Sequence, residues 1–123
     1  MKLPVSLFTQ GTIVRVEYPF QEDKSKIKKR PAVVMSYDKD VTHVVLLKVT
    51  SHAPRTSYDY TIQEYRGTGL DKQPSVVRCN CVYTISNTEN LQKLGNLSRK
   101  DLITVTLLYR QALSQKEVEH FKS

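Results

Sequence analysis

The chain has 123 residues, with 19 Lys and Arg against 12 Asp and Glu, for a net charge of +7. That length makes one domain with a real core and leaves no room for two, and the lack of any apolar run of about 18 residues excludes a membrane-spanning helix. The basic balance points to a polyanionic partner, either nucleic acid or an acidic protein segment.

Residues 1–10 read as a loosely docked leader. Met1-Lys2-Leu3-Pro4-Val5-Ser6-Leu7-Phe8 has too short an apolar stretch for a signal peptide and lacks a small-residue cleavage site, so the expected location is the cytoplasm. Gly11 then breaks the chain before a half-buried strand, with Thr12, Val14, Val16 and Tyr18 on one face and Ile13, Arg15 and Glu17 on the other. Residues 21–29 carry six charges in nine positions and read as a solvated loop of the kind that often carries function on a rigid scaffold. The loop stops at Lys28-Lys29-Arg30, and Pro31 pushes Arg30 toward extended backbone. Ala32-Val33-Val34-Met35 has no polar alternation, which predicts a strand over 31–36 covered on both faces. Arg30 is then a cation at the rim of a rigid sheet; the plainer alternative is a loop charge beside a core strand.

Residues 43–51 predict a long strand with Val45, Leu47 and Val49 on one face and Leu46, Lys48 and Thr50 on the other. Another follows over 57–63, with Tyr58, Tyr60 and Ile62 sharing a face. The glycines of Gly67-Thr68-Gly69 are too sparse for a phosphate cradle, and no helix follows them. In the strand over 75–83, alternation sets Val77, Cys79, Cys81 and Tyr83 on one face and projects Arg78 and Asn80 from the other. An arginine inside a strand is poorly explained by stability, since a buried unpaired guanidinium is costly. The alternative is an exposed face with an ion pair to Asp59 or Glu17. Ser98 with Asp101 reads as a helix start, and Leu102, Val105, Tyr109 and Leu113 give a helix over about 99–112. Ser114 with Glu117 repeats the cap pattern and predicts a short polar helix at the end. The two cysteines, two residues apart, match no zinc or thioredoxin-like spacing, and His43, His52 and His120 are scattered. Neither a metal, a cofactor nor a disulfide framework is expected.

The sum is an α+β chain dominated by β structure: a small, mostly antiparallel barrel or half-barrel core over 11–85 and a C-terminal helical segment over 98–122.

Gly11-Thr12-Ile13-Val14, Lys29-Arg30-Pro31-Ala32-Val33-Val34, Val49-Thr50-Ser51 and Ser75-Val76-Val77-Arg78-Cys79 come in the order found in the MazF/PemK family of toxins from type II toxin–antitoxin pairs. Leu94-Gly95-Asn96-Leu97-Ser98 ahead of a closing helix also resembles that family, and the similarity spans about residues 11–112. The resemblance implies an SH3-like barrel of the CcdB/MazF type, a two-fold homodimer, and metal-independent, sequence-selective cleavage of single-stranded RNA, typically messenger RNA. It also implies a neighbouring antitoxin that lays an acidic C-terminal tail across the RNA groove. Arg30, Thr50 and Arg78 match the family's motif positions and are the implied catalytic residues, with Lys28, Lys29, Ser51, Asn80, Glu22 and Asp23 as RNA-binding candidates. Asn80 stands where some relatives have an acid, and residues 21–29 hold no histidine, so the general base is unassigned. The competing expectation is a non-catalytic or weakly active binding module of the same fold, as in the CcdB-like toxins that act on protein targets. An Arg78 tied into a salt bridge favours that alternative; a shared groove for Arg30, Thr50 and Arg78 favours cleavage.

Overall fold

The computed structural model describes residues 9–17, 29–37, 43–86 and 91–122. In chain order these form β1 (Thr12–Glu17), β2 (Lys29–Tyr37), β3 (Val44–Thr50), β4 (Asp59–Thr61), β5 (Val76–Ile85), β6 (Gln92–Asn96), α1 (Arg99–Ser114) and β7 (Glu119–Lys122). The strands make one seven-stranded sheet in the order β4-β5-β3-β2-β1-β6, with β7 alongside β5. All pairs are antiparallel except β5–β7. Among the described residues no ladder joins the outer strands β4 and β6, so the sheet is not closed. The chain after β4 bridges that gap instead: the Asn96 N–H donates to the Gly67 carbonyl at 2.8 Å.

Each face of the sheet buries its own apolar cluster. Alternation in β2 sends Ala32 and Val34 to one and Val33 and Met35 to the other, as expected for a strand covered on both sides. The first cluster adds Val14, Val16, Val44, Leu46, Cys81 and Tyr83. The second adds Ile13, Leu47, Val49 and Val77, and receives Val105, Leu102 and Tyr109 from α1. The helix starts where its sequence cap places it, the Asp101 N–H donating to Ser98 Oγ at 3.1 Å.

Asp101 does more than cap. It is fully buried and accepts from the Tyr60 hydroxyl at 2.5 Å and from the Gln63 and Glu64 N–H groups, which pins α1 to the chain after β4. Burial first, and then the Asp101 hydrogen bond, push the Tyr60 hydroxyl up to about 12 from an ordinary value of 10.0. A raised folded pKa means this contribution to stability is whole below pH 10 and is lost as pH climbs through about 12. Thermal melts across that window should show a falling Tm, and Tyr60→Phe should make the fall shallower.

Four expectations need correction. The strand over 57–63 shrinks to Asp59–Thr61, because the Gln63 and Glu64 N–H groups go to the Asp101 carboxylate rather than to a ladder. Residues 92–96 form a strand that the sequence pattern did not announce. The polar helix after Ser114 is absent: the chain turns at Lys116 with φ 57 and returns as β7, where Phe121 stacks on Tyr83 at 5.0 Å. Finally, Cys79 and Cys81 do not share a face. Between Arg78 and Val82, β5 advances four residues while β3 advances one, from Lys48 to Leu47. This bulge puts Val77 and Cys79 in the α1-side cluster and Cys81 and Tyr83 in the other.

Candidate functional site

Strand register, more than any single motif, assembles the polar residues. The pairings Val14↔Ala32, Ala32↔Lys48, Lys48↔Arg78 and Arg78↔Asp59 set one rank of residues across five strands. The next rank holds Val16↔Arg30 and Thr50↔Val76. Side chains two apart on a strand share a face. Arg30, Lys48, Thr50 and Arg78 therefore stand on one face of the three adjacent strands β2, β3 and β5, at the end of the face that Val14, Ala32 and Leu46 make apolar. The β5 bulge is what allows this, since without it Arg78 and Tyr83 would fall on opposite faces.

Two hollows lie at this end of the sheet with Thr50 in the lining of both, the smaller on this face and the larger reaching to Arg15, Pro31 and Val49, whose positions alternate to the other face. The larger, about 400 Å³, has Lys29, Arg30 and Ser51 from the sequence-expected set, joined by Arg15, Asp71 and Lys72. That volume lies in the range of ligand-sized clefts, roughly 300–1,000 Å³. The smaller, about 200 Å³, is lined by Lys48, His52, Arg55, Asp59 and Arg78 beside Thr50. Each hollow has several cations against one carboxylate, a field suited to a polyanion. Thr50 Oγ1 accepts from the His52 backbone N–H at 3.2 Å, a contact that uses an acceptor lone pair and not its O–H.

Arg78 is ion-paired. Its Nε lies 3.6 Å from Asp59 Oδ1, with 21% of the Arg78 side chain and 1% of the Asp59 side chain exposed. Asp59 is one of the two partners that the sequence offers. Its other oxygen accepts from the Arg55 and Thr56 N–H groups at 2.8 and 3.2 Å, so a tight loop holds the carboxylate that holds the guanidinium. Lys48 sits between Arg78 and Ala32 in the same rank. Burial first, and the neighbouring Arg78, Arg30 and Arg55 after it, hold its ammonium below the usual lysine range, with Cys81 acting in the opposite sense.

Among the expected residues, Arg30, Lys29 and Ser51 line the larger hollow and Arg78 the smaller, with Thr50 in both; no one hollow among the described residues holds Arg30 and Arg78 together. Asn80 lies inside the bulge, is buried, donates to the Glu117 carbonyl at 3.4 Å and lines neither hollow. Glu22, Asp23 and Lys28 lie outside the described residues. Lys48, Arg55, Arg15 and Lys72 were not singled out from sequence. Lys48 carried a signal, as a charge on an otherwise apolar strand two residues before Thr50; Arg55 and Lys72 are loop charges that only the fold brings inward. Among the described residues no group of three His, Cys, Asp or Glu side chains is placed to hold a metal ion, and no helix is long and apolar enough to cross a membrane.

Solved structures share this fold. The chain is similar to MazF from Deinococcus radiodurans, with 19% identity over 85% of this chain and 94% of that one and a TM-score of 0.67. A MazE–MazF complex from the same organism gives 18% identity over 85% and 94%, with a TM-score of 0.68. An endoribonuclease in complex with its cognate antitoxin, from a Mycobacterial species, gives 14% identity over 85% and 93%, with a TM-score of 0.66. No curated protein matches the sequence. Residues 9–113 match the family model described as PemK-like, MazF-like toxin of type II toxin–antitoxin system. A match over that span takes in every strand and loop that builds the cationic face, and the chain belongs to this toxin family.

Proposed function

We propose that the chain is an endoribonuclease toxin that cleaves single-stranded RNA, typically messenger RNA, by attack of a ribose 2′-hydroxyl on the adjacent phosphorus. The observation that carries this reading is the convergence of Arg30, Thr50 and Arg78 on one face of three neighbouring strands. The phosphodiester lies at Thr50, where the two hollows meet, with Arg30 on one side and Arg78 on the other. As O2′ bonds to phosphorus, charge builds on the equatorial oxygens. Fixed guanidinium N–H donors and the Thr50 hydroxyl stabilise that charge, and they need no reorganisation as it develops. The P–O5′ bond breaks, leaving a 2′,3′-cyclic phosphate and a 5′-hydroxyl. No step requires a metal, because the cations that a metal would supply are side chains. Nucleotides flanking the cut occupy the larger hollow and give the cleavage its sequence selectivity. The protein works in the cytoplasm as a homodimer, and an antitoxin with an acidic C-terminal tail silences it by competing for the same cations. The family and the antitoxin-bound structural neighbours support that last part.

The Arg78–Asp59 ion pair favours a second reading, a non-catalytic binding module. The two readings separate in one assay, incubation of the purified chain with an unstructured RNA in EDTA. Cutting is expected; binding without cutting would favour the module. Arg78→Ala should lower the cleavage rate by about 10²–10³. It should also lower Tm, because Asp59 keeps a buried carboxylate without its counter-charge, at a cost of roughly 1–3 kcal/mol. Adding Asp59→Asn to that variant should restore most of the Tm and none of the activity. Recovery of activity in the double variant would remove Arg78 from the site.

A further inference from the structure

We propose that His52 is the group that takes the 2′-hydroxyl proton, an inference that rests on the nuclease reading. Every other group in the smaller hollow is unsuited to the task. Arg55 and Arg78 offer guanidinium donors and no acceptor. Asp59 accepts two backbone N–H groups at Oδ2, and its Oδ1 faces Arg78 Nε at 3.6 Å in a side chain only 1% exposed, so a substrate hydroxyl has little access to it. Lys48 is held below the usual lysine range by burial and its cationic neighbours, but its ammonium is a donor group without an acceptor lone pair. Histidine is the side chain that exchanges a proton between about pH 5 and 8, which is the condition for efficient general-base catalysis near neutrality.

The geometry favours His52 independently of this elimination. Its backbone N–H donates to Thr50 Oγ1 at 3.2 Å, a local turn that begins as soon as β3 ends. His52, two residues past the end of β3, lines the same hollow as Thr50 and Arg78. It is exposed, so a substrate can reach it. The charged groups that face it there are Lys48 from β3, Arg78 from β5, and Arg55 and Asp59 from the loop into β4 and its first residue. The step balances without any bound group. The proton on O2′ passes to the unprotonated imidazole as O2′ bonds to phosphorus; the P–O5′ electron pair leaves with O5′, which takes a proton from water, and the imidazolium returns its own to solvent.

The test is a pH–rate profile of the full chain from pH 5 to 9 on a defined RNA, with RNA affinity measured in parallel. In wild type the rate should rise with pH along an acid limb. His52→Gln should lower kcat by about 10²–10⁴, lose that limb and bind RNA within a few-fold of wild type. His52→Ala should regain at least tenfold of its lost rate when free imidazole is added, in proportion to the unprotonated fraction. A His52→Gln variant that cuts within threefold of wild type with its acid limb intact would overturn the assignment, as would an His52→Ala variant indifferent to imidazole. If the wild-type chain itself cuts no RNA, the fault lies with the nuclease reading and not with the choice of base.

Discussion

Arg30→Ala is expected to reduce RNA cleavage by about 10²–10³ while RNA affinity and Tm change little. Arg30 holds no apolar position. It is half-buried at the mouth of β2, paired in register with Val16, and its side chain lies in the lining of the larger hollow. Removing it costs little packing. In the proposed reaction what disappears is a planar donor set for the charge that develops on the phosphate oxygens, and a group that acts mainly in the transition state shows up in kcat. Arg30→Lys should recover little of the loss, because a compact ammonium on a flexible stem cannot reproduce a two-pronged contact to phosphate. Single-turnover rates with saturating RNA measure this directly. An unchanged rate with weakened binding would make Arg30 a phosphate anchor and no more.

A large loss of stability is expected from Gly95→Ala. A Cβ at Gly95 would run into the Gly67 carbonyl oxygen and would sit 2.6 Å from the Thr68 carbonyl carbon, and both of those are backbone. No rotamer change relieves such a clash. Strand β6 must separate from residues 67–69, and the bond from the Asn96 N–H to the Gly67 carbonyl goes with it. The cost should be about 3–5 kcal/mol, a large share of the roughly 5–15 kcal/mol that holds a domain of this kind together, with Tm down by about 10 °C or more. Gly67→Ala is the matched control. Nothing lies within 4 Å of a Cβ there, and its φ of +82 leaves only backbone strain of about 1 kcal/mol. The contrast also bears on function, because the segment held by this contact runs on through Gly69, Leu70, Asp71 and Lys72 into the wall of the larger hollow.

How far the sequence carries can be read from particular strands. The unbroken apolar run of β2 announced a strand covered on both sides, and alternation gave the faces of β1 and β3 correctly, with Val14 and Val16 opposite Ile13 and Leu46 opposite Leu47. It misled in β5 because Val77, Cys79, Cys81 and Tyr83 look like one uninterrupted face. Three extra residues opposite a single step of β3 change the parity, and a bulge of that kind is set by the partner strand, which the local pattern does not contain. Asn80 was misplaced for the same reason. Strand β6 was invisible because Gln92-Lys93-Leu94-Gly95-Asn96 has one apolar residue, and it is a strand only because β1 leaves an open edge beside it. The helix cap at Ser98 was legible, whereas the second apparent cap at Ser114 lost to the chance for Phe121 to stack on Tyr83. Arg30, Thr50 and Arg78 could be named from short motifs; Lys48 and His52 needed the register and the turn that place them next to Thr50.

The most direct test of the central claim is the chemistry of the ends that the cut leaves. An RNA oligonucleotide containing the cleavage site is incubated with the chain in EDTA and its fragments are weighed by mass spectrometry, alongside a copy with a single 2′-deoxy sugar on the 5′ side of the scissile phosphate. Attack from within the substrate predicts a 2′,3′-cyclic phosphate and a 5′-hydroxyl from the all-RNA strand and an intact deoxy strand. Fragments ending in a 3′-hydroxyl and a 5′-phosphate, or equal cutting of both strands, would contradict it.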